Sequence, residues 1–392
     1  MTARPWIVVA GGGTAGHVLP ALAVADTLVA RGVDPTAIVF IGSQRGVEKR
    51  LVPSAGYAIT LLSGRGLLRS FAPKAVLINV CSSLGLLAAT LRTIASFIRS
   101  RPAVVLSVGG YASVPACVAA QATRVPLVLA ESNARSGRSV RAFSRYAKAA
   151  AVAFPTTGLP RAVVTGNPVR REILDLAGKP TQLVRSEARA ELGIGELTPV
   201  VTVFGGSLGA RRINEAVLAL CNSWADRPLL IRHIVGQRDL DWAQERRNAW
   251  LSEHPNPSLD YQQVAYEDQM PRWYVASDVI VCRAGATSVA DLSVLGVPAI
   301  LVPLPGAADD HQTANARAVA DDGAAVLLPD RELTGDRLAD ELDALLNDPG
   351  RRSELARAQR RRSRADAGDA IADLVVTHAT RRPALAGSAA GE

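Results

Sequence analysis

Aromatic residues are scarce: Phe, Trp and Tyr together make up 4% of the 392 residues. The cores must therefore be filled by Ala, Val, Leu and Ile. No basic segment studded with aromatics is available to stack on bases, so no nucleic-acid partner is expected. Cysteine is scarce too. Cys81, Cys117, Cys221 and Cys282 stand apart, none in a CxxC or similar spacing. That argues against a zinc ribbon or a disulfide scaffold and reads as buried thiols in a reducing compartment. No glycine turn ends in Gly-Lys-Ser/Thr, which excludes a Walker loop. The opening Met1-Thr2-Ala3-Arg4-Pro5 leads into a very short apolar run, too short for a secretion signal, and no secretion is expected.

What is present points to a large, two-part α/β protein. A chain of 392 residues is too long for one ordinary core. Its 48% apolar content is enough for two. The formal charge of +8 suits anionic partners, phosphates or an acidic lipid surface. The densest positive stretch, 351–364 with its Arg360-Arg361-Arg362 run, reads as a solvated helix face.

Continuous apolar runs at 7–10, 38–41, 104–108, 127–130, 149–153 and 163–165 alternate with helical stretches such as 20–31 and 114–122. Strands buried on both faces of a parallel sheet have this pattern. The alternation pauses at Gly166-Asn167-Pro168-Val169-Arg170 and restarts at 200–204, 230–235, 260–264, 279–282, 299–302 and 325–328. Two such series predict two doubly wound domains. The expected division is 1–166, 167–365, a helix over 366–380 returning to the first domain, and a disordered tail over 381–392. Residues 75–91 carry no charge and are flanked by Lys74, Arg92, Arg99 and Arg101. They read as a buried helix or as a membrane-facing one, and the two readings can hold on opposite faces. The preceding Gly64-Arg65-Gly66-Leu67-Leu68-Arg69 suits an anionic, greasy partner.

Three glycine-rich turns follow strands and open helices: Gly11-Gly12-Gly13-Thr14-Ala15-Gly16-His17, Gly109-Gly110-Tyr111-Ala112-Ser113 and Gly205-Gly206-Ser207-Leu208-Gly209-Ala210. Glycine lets backbone approach a ligand, and a helix N-terminus offers amides and partial positive charge to phosphate. His17 falls at the helix start, where an imidazole can act as a base and the dipole favours its neutral form. A fourth turn, Cys282-Arg283-Ala284-Gly285-Ala286-Thr287-Ser288, leaves room for a diphosphate, with Asp291 one turn later for ribose hydroxyls. In Asp309-Asp310-His311-Gln312-Thr313-Ala314-Asn315, the amides of Gln312 and Asn315 suit sugar hydroxyls. The one literal DxD, Asp239-Leu240-Asp241, reads as surface charge, not a metal site.

In order, GGGTAGHVLPALA, SVGGYASVP, GNPVR, FGGSLGA, CRAGATSVAD and DHQTANA resemble the motif series of the MurG family, from about residue 7 to about residue 330. The resemblance implies a GT-B fold, with two Rossmann-like, doubly wound parallel-sheet domains facing across a cleft. It implies inverting transfer of N-acetylglucosamine from UDP-N-acetylglucosamine to the muramyl C4 hydroxyl of lipid I, the undecaprenyl-diphosphate-linked muramyl-pentapeptide. It implies neither cofactor nor catalytic metal, and a peripheral place on the anionic cytoplasmic face of the plasma membrane.

Residue by residue, the resemblance makes His17 and Glu131 the candidate bases. It puts Thr14, Ala15 and Gly16 at the acceptor diphosphate, with Gly109 to Tyr111 beside them. Asn133 and Gln312 would address the donor sugar, Arg170 and Glu267 the nucleotide, Ser207 the diphosphate, and Ala286, Thr287 and Asp291 phosphate and ribose. Three positions depart from the pattern: Ala130 replaces a histidine, Asp291 a glutamate and His311 a glutamine. The rival readings are another GT-B enzyme acting on a different acceptor, a UDP-sugar epimerase, and a non-catalytic scaffold. A dinucleotide-dependent oxidoreductase is a poorer fit, because the run ending at Gly42 lacks the acidic ribose ligand.

Overall fold

A computed structural model of the chain describes residues 4–62, 73–206, 209–383 and 385, with backbone alone over 73–81 and at 308. It divides into two units, Met1–Arg170 with Arg364–Glu392, and Arg171–Ser363.

Unit 1 holds seven strands: β1 (Ile7–Gly11), β2 (Ile38–Ser43), β3 (Ala58–Leu62), β4 (Val104–Gly109), β5 (Leu127–Glu131), β6 (Ala149–Val152) and β7 (Ala162–Val164). They form one sheet in the order β3-β2-β1-β4-β5-β6-β7. Every pairing is parallel. Ile7 and Val9 feed one core and Val8 and Ala10 another, on the opposite sheet face. Side chains alternate across a strand, so a strand covered on both faces must be apolar at every position. β3, absent from the runs predicted above, is an edge strand whose residues are exposed or half-buried, so burial put little pressure on its composition.

The first helix, Ala15–Ala30, starts five residues before the predicted start and carries Pro20 within it. Proline removes one amide donor there, and the helix continues ahead of it back to its N-cap at Thr14. The helix Pro73–Ser100 extends the predicted 75–91 at both ends. The last helix, Ala367–His378, buries Ile371, Ala372 and Val375 in the unit 1 core. Full burial of side chains the size of Ile371 and Val375 is worth about 1.5–3 kcal/mol each. Arg31 fastens the same helix through Asp369 (2.6 Å) and Asp373 (2.5 Å). The chain stays attached beyond it: Trp6 Nε1 donates to the Arg381 carbonyl at 2.7 Å, and Arg381 donates to the Pro5 and Arg101 carbonyls.

Unit 2 holds β8 (Val200–Phe204), β9 (Leu230–Ile234), β10 (Asp260–Val264), β11 (Val279–Cys282), β12 (Ala299–Leu301) and β13 (Val326–Leu327), ordered β10-β9-β8-β11-β12-β13 and again parallel. Both units are thus Rossmann-like and doubly wound. The basic helix Pro349–Arg362 is not simply a solvated face. Arg352 donates to the carbonyls of Leu345 and Leu346, Arg360 to that of Leu295, and Arg362 pairs with Asp322. Three neighbouring helices end at these positions. Arginine there satisfies orphan carbonyls and complements the helix dipoles.

Candidate active site

In each sheet the chain order reverses at one point, between β1 and β4 in unit 1 and between β8 and β11 in unit 2. Ligands of open parallel sheets bind outside the strand carboxyl ends at this reversal. All four small-residue turns of the sequence leave strands that flank it.

In unit 1, Gly11 lies opposite Gly109 across a register shift in the β1–β4 pairing. Gly110 has φ +78°, and a Cβ there would fall 2.7 Å from the Gly12 carbonyl oxygen. Only glycine lets the two turns nest this closely. Thr14 stands at the N-cap of the first helix without capping any amide through its side chain, so among the described residues no side-chain cap competes with an anion for the Ala15 and Gly16 amides. His17 is half-buried on the same helical turn; its Nδ1 lies 3.4 Å from Thr14 Oγ1, and Nε2 points towards Gly109. Thr14, Ala15, Gly16, His17 and the Gly109–Tyr111 turn are therefore gathered in one place.

Glu131 ends β5, the strand beside β4. Its carboxylate is 5% exposed and turned into its own loop, accepting from the Asn133 amide (3.0 Å), Asn133 Nδ2 (3.1 Å) and the Gly137 amide (2.7 Å). Ser132 Oγ donates to Asn167 Oδ1 at 2.8 Å, tying this loop to the segment that leads out of unit 1. Arg170, half-buried, is the last residue of that unit 1 segment.

In unit 2, Ser207 lies outside the described residues. Gly209 beside it is packed against the Val235 carbonyl, leaving no room for a Cβ. The helix Ala286–Leu295 starts after β11 with Gly285 at its N-cap and no side-chain cap. Thr287 Oγ1 is buried there with no hydrogen-bond partner among the described residues, and Asp291 is buried one turn on. Gln312 Oε1 accepts from the Leu304 amide (3.0 Å), and Asn315 Nδ2 donates to the Ala284 carbonyl (3.1 Å). The two amides predicted for sugar hydroxyls thus also fix the loops after β12 and β11. Asp309 and Asp310 both adopt left-handed φ of 54°, a strained pair where His311 begins its helix. Glu267 stands apart, after β10 at the sheet edge. Arg232 grips it (3.0 and 2.5 Å) while lying over the Trp273 ring.

Asp239 corrects the sequence reading. It is 1% exposed and holds Arg211 (2.9 Å), Arg238 (3.3 Å) and Asn214 (3.1 Å). Burial pushes its carboxyl up, but hydrogen bonds and charge from Arg238 and Arg211 outweigh that and hold it below the usual carboxylate range. Arg283 was also missed as a support: its Nη1 donates to the Val302 and Pro303 carbonyls and to Asp330 (2.5 Å), bracing the turn after β11. A charged residue inside an otherwise small-residue turn was its only signal in sequence.

Residues 7–152 match the N-terminal domain of glycosyltransferase family 28, and residues 200–371 its C-terminal domain. Two relatives are each named UDP-N-acetylglucosamine–N-acetylmuramyl-(pentapeptide) pyrophosphoryl-undecaprenol N-acetylglucosamine transferase. The one from Alkalilimnicola ehrlichii is 41% identical over 95% of this chain and 99% of its own. The one from Anaeromyxobacter dehalogenans is 38% identical over 96% and 94%. The crystal structure of Acinetobacter baumannii MurG superposes with a TM-score of 0.72 at 30% identity, covering 94% of this chain and 98% of that one. With both domains matched and this identity held along nearly its whole length, the chain belongs to glycosyltransferase family 28, and within it to the MurG family.

Proposed function

We propose that the protein transfers N-acetylglucosamine from UDP-N-acetylglucosamine to the C4 hydroxyl of the muramyl sugar of lipid I, with inversion, forming lipid II for peptidoglycan. The observation that carries this reading is the pair of helix N-termini, Ala15–Ala30 and Ala286–Leu295, one at the reversal point of each sheet and neither with a side-chain cap among the described residues. A lipid-linked diphosphate acceptor and a nucleoside diphosphate donor each need such a site. In this reading unit 2 binds the donor: the Ala286 and Thr287 turn and Ser207 take the diphosphate, Asp291 the ribose, backbone near Glu267 the uracil, Gln312 the sugar, with Arg170 and Asn133 contributing. Unit 1 binds the acceptor through Thr14, Ala15 and Gly16.

The chemistry follows. Charge grows on UDP as the glycosidic bond breaks, and preorganised amides and dipoles stabilise it. His17 takes the proton of the attacking hydroxyl. Glu131, held by three donors inside its own loop, positions Asn133. The test is transfer of labelled N-acetylglucosamine to a lipid I analogue, with and without chelator. Transfer that resists chelation is expected. Tight UDP-N-acetylglucosamine binding without transfer would sink the acceptor assignment.

A membrane-facing surface fits the same substrate. On the helix Pro73–Ser100, Leu84, Leu87, Leu91 and Ile98 are 56–62% exposed at spacings of three, four and seven residues, which makes one stripe. Thr93 and Phe97 are buried on the other side, and Arg92 and Arg99 are exposed beside the stripe. No helix among the described residues is long and apolar enough to cross a membrane. The loop 64–69 lies outside the described residues. We read the stripe as an in-plane contact with an anionic cytoplasmic leaflet. Leu87→Glu with Leu91→Glu should abolish co-sedimentation with phosphatidylglycerol vesicles while transfer to a short-chain, soluble acceptor persists. Unchanged co-sedimentation would remove this surface from the proposal.

A further inference from the structure

The carboxylate of Glu48 sits directly behind the first turn. Glu48 opens the helix Glu48–Ser54, five residues after β2 ends, and is 1% exposed. Oε2 accepts from the Gly13 amide at 2.9 Å, and Oε1 from the Ser43 amide at 2.8 Å. A Cβ on Gly12, Gly42 or Gly46 would overlap the Glu48 side chain, so the turns after β1 and β2 close round one carboxylate. Ser43 Oγ lies 2.5 Å from the hydroxyl of Tyr111, which belongs to the turn after β4. The Glu48 carboxylate thus joins the turns after β1 and β2, and the Ser43 hydroxyl links them to the turn after β4.

Bonds from amides to a carboxylate are stronger than neutral ones, and a buried carboxylate demands them. Glu48 therefore dictates the direction of the Gly13 amide, and through it the peptide units that follow. We propose that Glu48 is a positioning residue for the acceptor: it holds the first turn so that the Ala15 and Gly16 amides meet the diphosphate of the lipid-linked substrate. This rests on the reading that unit 1 takes the acceptor. The donor turns belong to unit 2, so loss of Glu48 acts on one substrate only.

The test is steady-state kinetics of Glu48→Gln, varying each substrate at saturating levels of the other. Glutamine keeps the length but sets an NH2 against one of the two amides. The expected result is an acceptor KM raised about tenfold or more, the usual scale for losing a hydrogen bond to a charged group, with donor KM unchanged. Gly46→Ala displaces the carboxylate without altering its charge and should give the same split, which decides the matter if Glu48→Gln does not fold. Equal rises in both KM values would mean general structural support and overturn the proposal, as would an unchanged acceptor KM. Absence of transfer by the unaltered protein would instead overturn the functional reading beneath it.

Discussion

Replacing His17 with alanine lowers the turnover of sugar transfer about 10²- to 10⁴-fold, the usual contribution of a general base. Binding of UDP-N-acetylglucosamine stays unchanged, because the proposed donor contacts do not include His17. The geometry supports the assignment over Glu131. Glu131 accepts three hydrogen bonds from within residues 131–137, whereas His17 shares its helical turn with the Ala15 and Gly16 amides that are proposed to meet the acceptor. Turnover should therefore be measured beside donor affinity for both His17→Ala and Glu131→Gln. The expected His17 pattern is a loss of kcat without a loss of donor binding, since only an interaction made in the transition state is removed. Undiminished turnover in His17→Ala would end its candidacy as base.

The reversal-point turns were legible because two local signals coincide there: a continuous apolar run, and a cluster of glycine and other small residues directly after it. Both are contiguous in sequence. What was not legible depends on distant contacts. Asp239 looks like surface charge until Arg211, 28 residues away, and Asn214 come to meet it. Glu48 looks like a helix-start acid until Gly13, 35 residues away, donates to it. β3 hid because an edge strand need not be apolar, and the first five residues of the helix Ala15–Ala30 hid because Pro20 resembles an N-terminal proline. The arginines of Pro349–Arg362 showed their charge but not the three helix ends that they serve.

Acid begins to destabilise unit 2 above the range in which ordinary carboxylates titrate, and His233 is the cause. His233 is fully buried on β9, and burial pushes its imidazole down to about 3. The surrounding bonds fix the neutral form. Asn214 Nδ2 donates to the Val235 carbonyl and to Asp239, so its Oδ1 must accept, and His233 Nε2 is 3.0 Å from it. Nε2 therefore carries the proton, and Nδ1 accepts from the Tyr261 hydroxyl at 2.8 Å. A second proton would meet that hydroxyl, and among the described residues no carboxylate touches the ring. The unfolded chain binds this proton near pH 6.5 and the native unit does not, so the unfolded state binds more protons as pH falls. Stability is complete above pH 6.5 and declines from there towards pH 3. The loss is roughly 2 kcal/mol by pH 5 and about 4 kcal/mol by pH 3. Denaturant unfolding between pH 8 and pH 5 measures it, with His233→Gln as the comparison. Glutamine keeps one donor and one acceptor but cannot titrate, so its stability should be lower at pH 8 and nearly flat down to pH 5. A native protein equally flat over that interval would mean that His233 takes up its proton without opening the network. The network also braces the third turn, since the Val235 carbonyl that accepts from Asn214 is the group against which Gly209 packs. Because the native imidazole stays neutral over this window, donor binding should hold down to pH 5 and fail only where the protein unfolds.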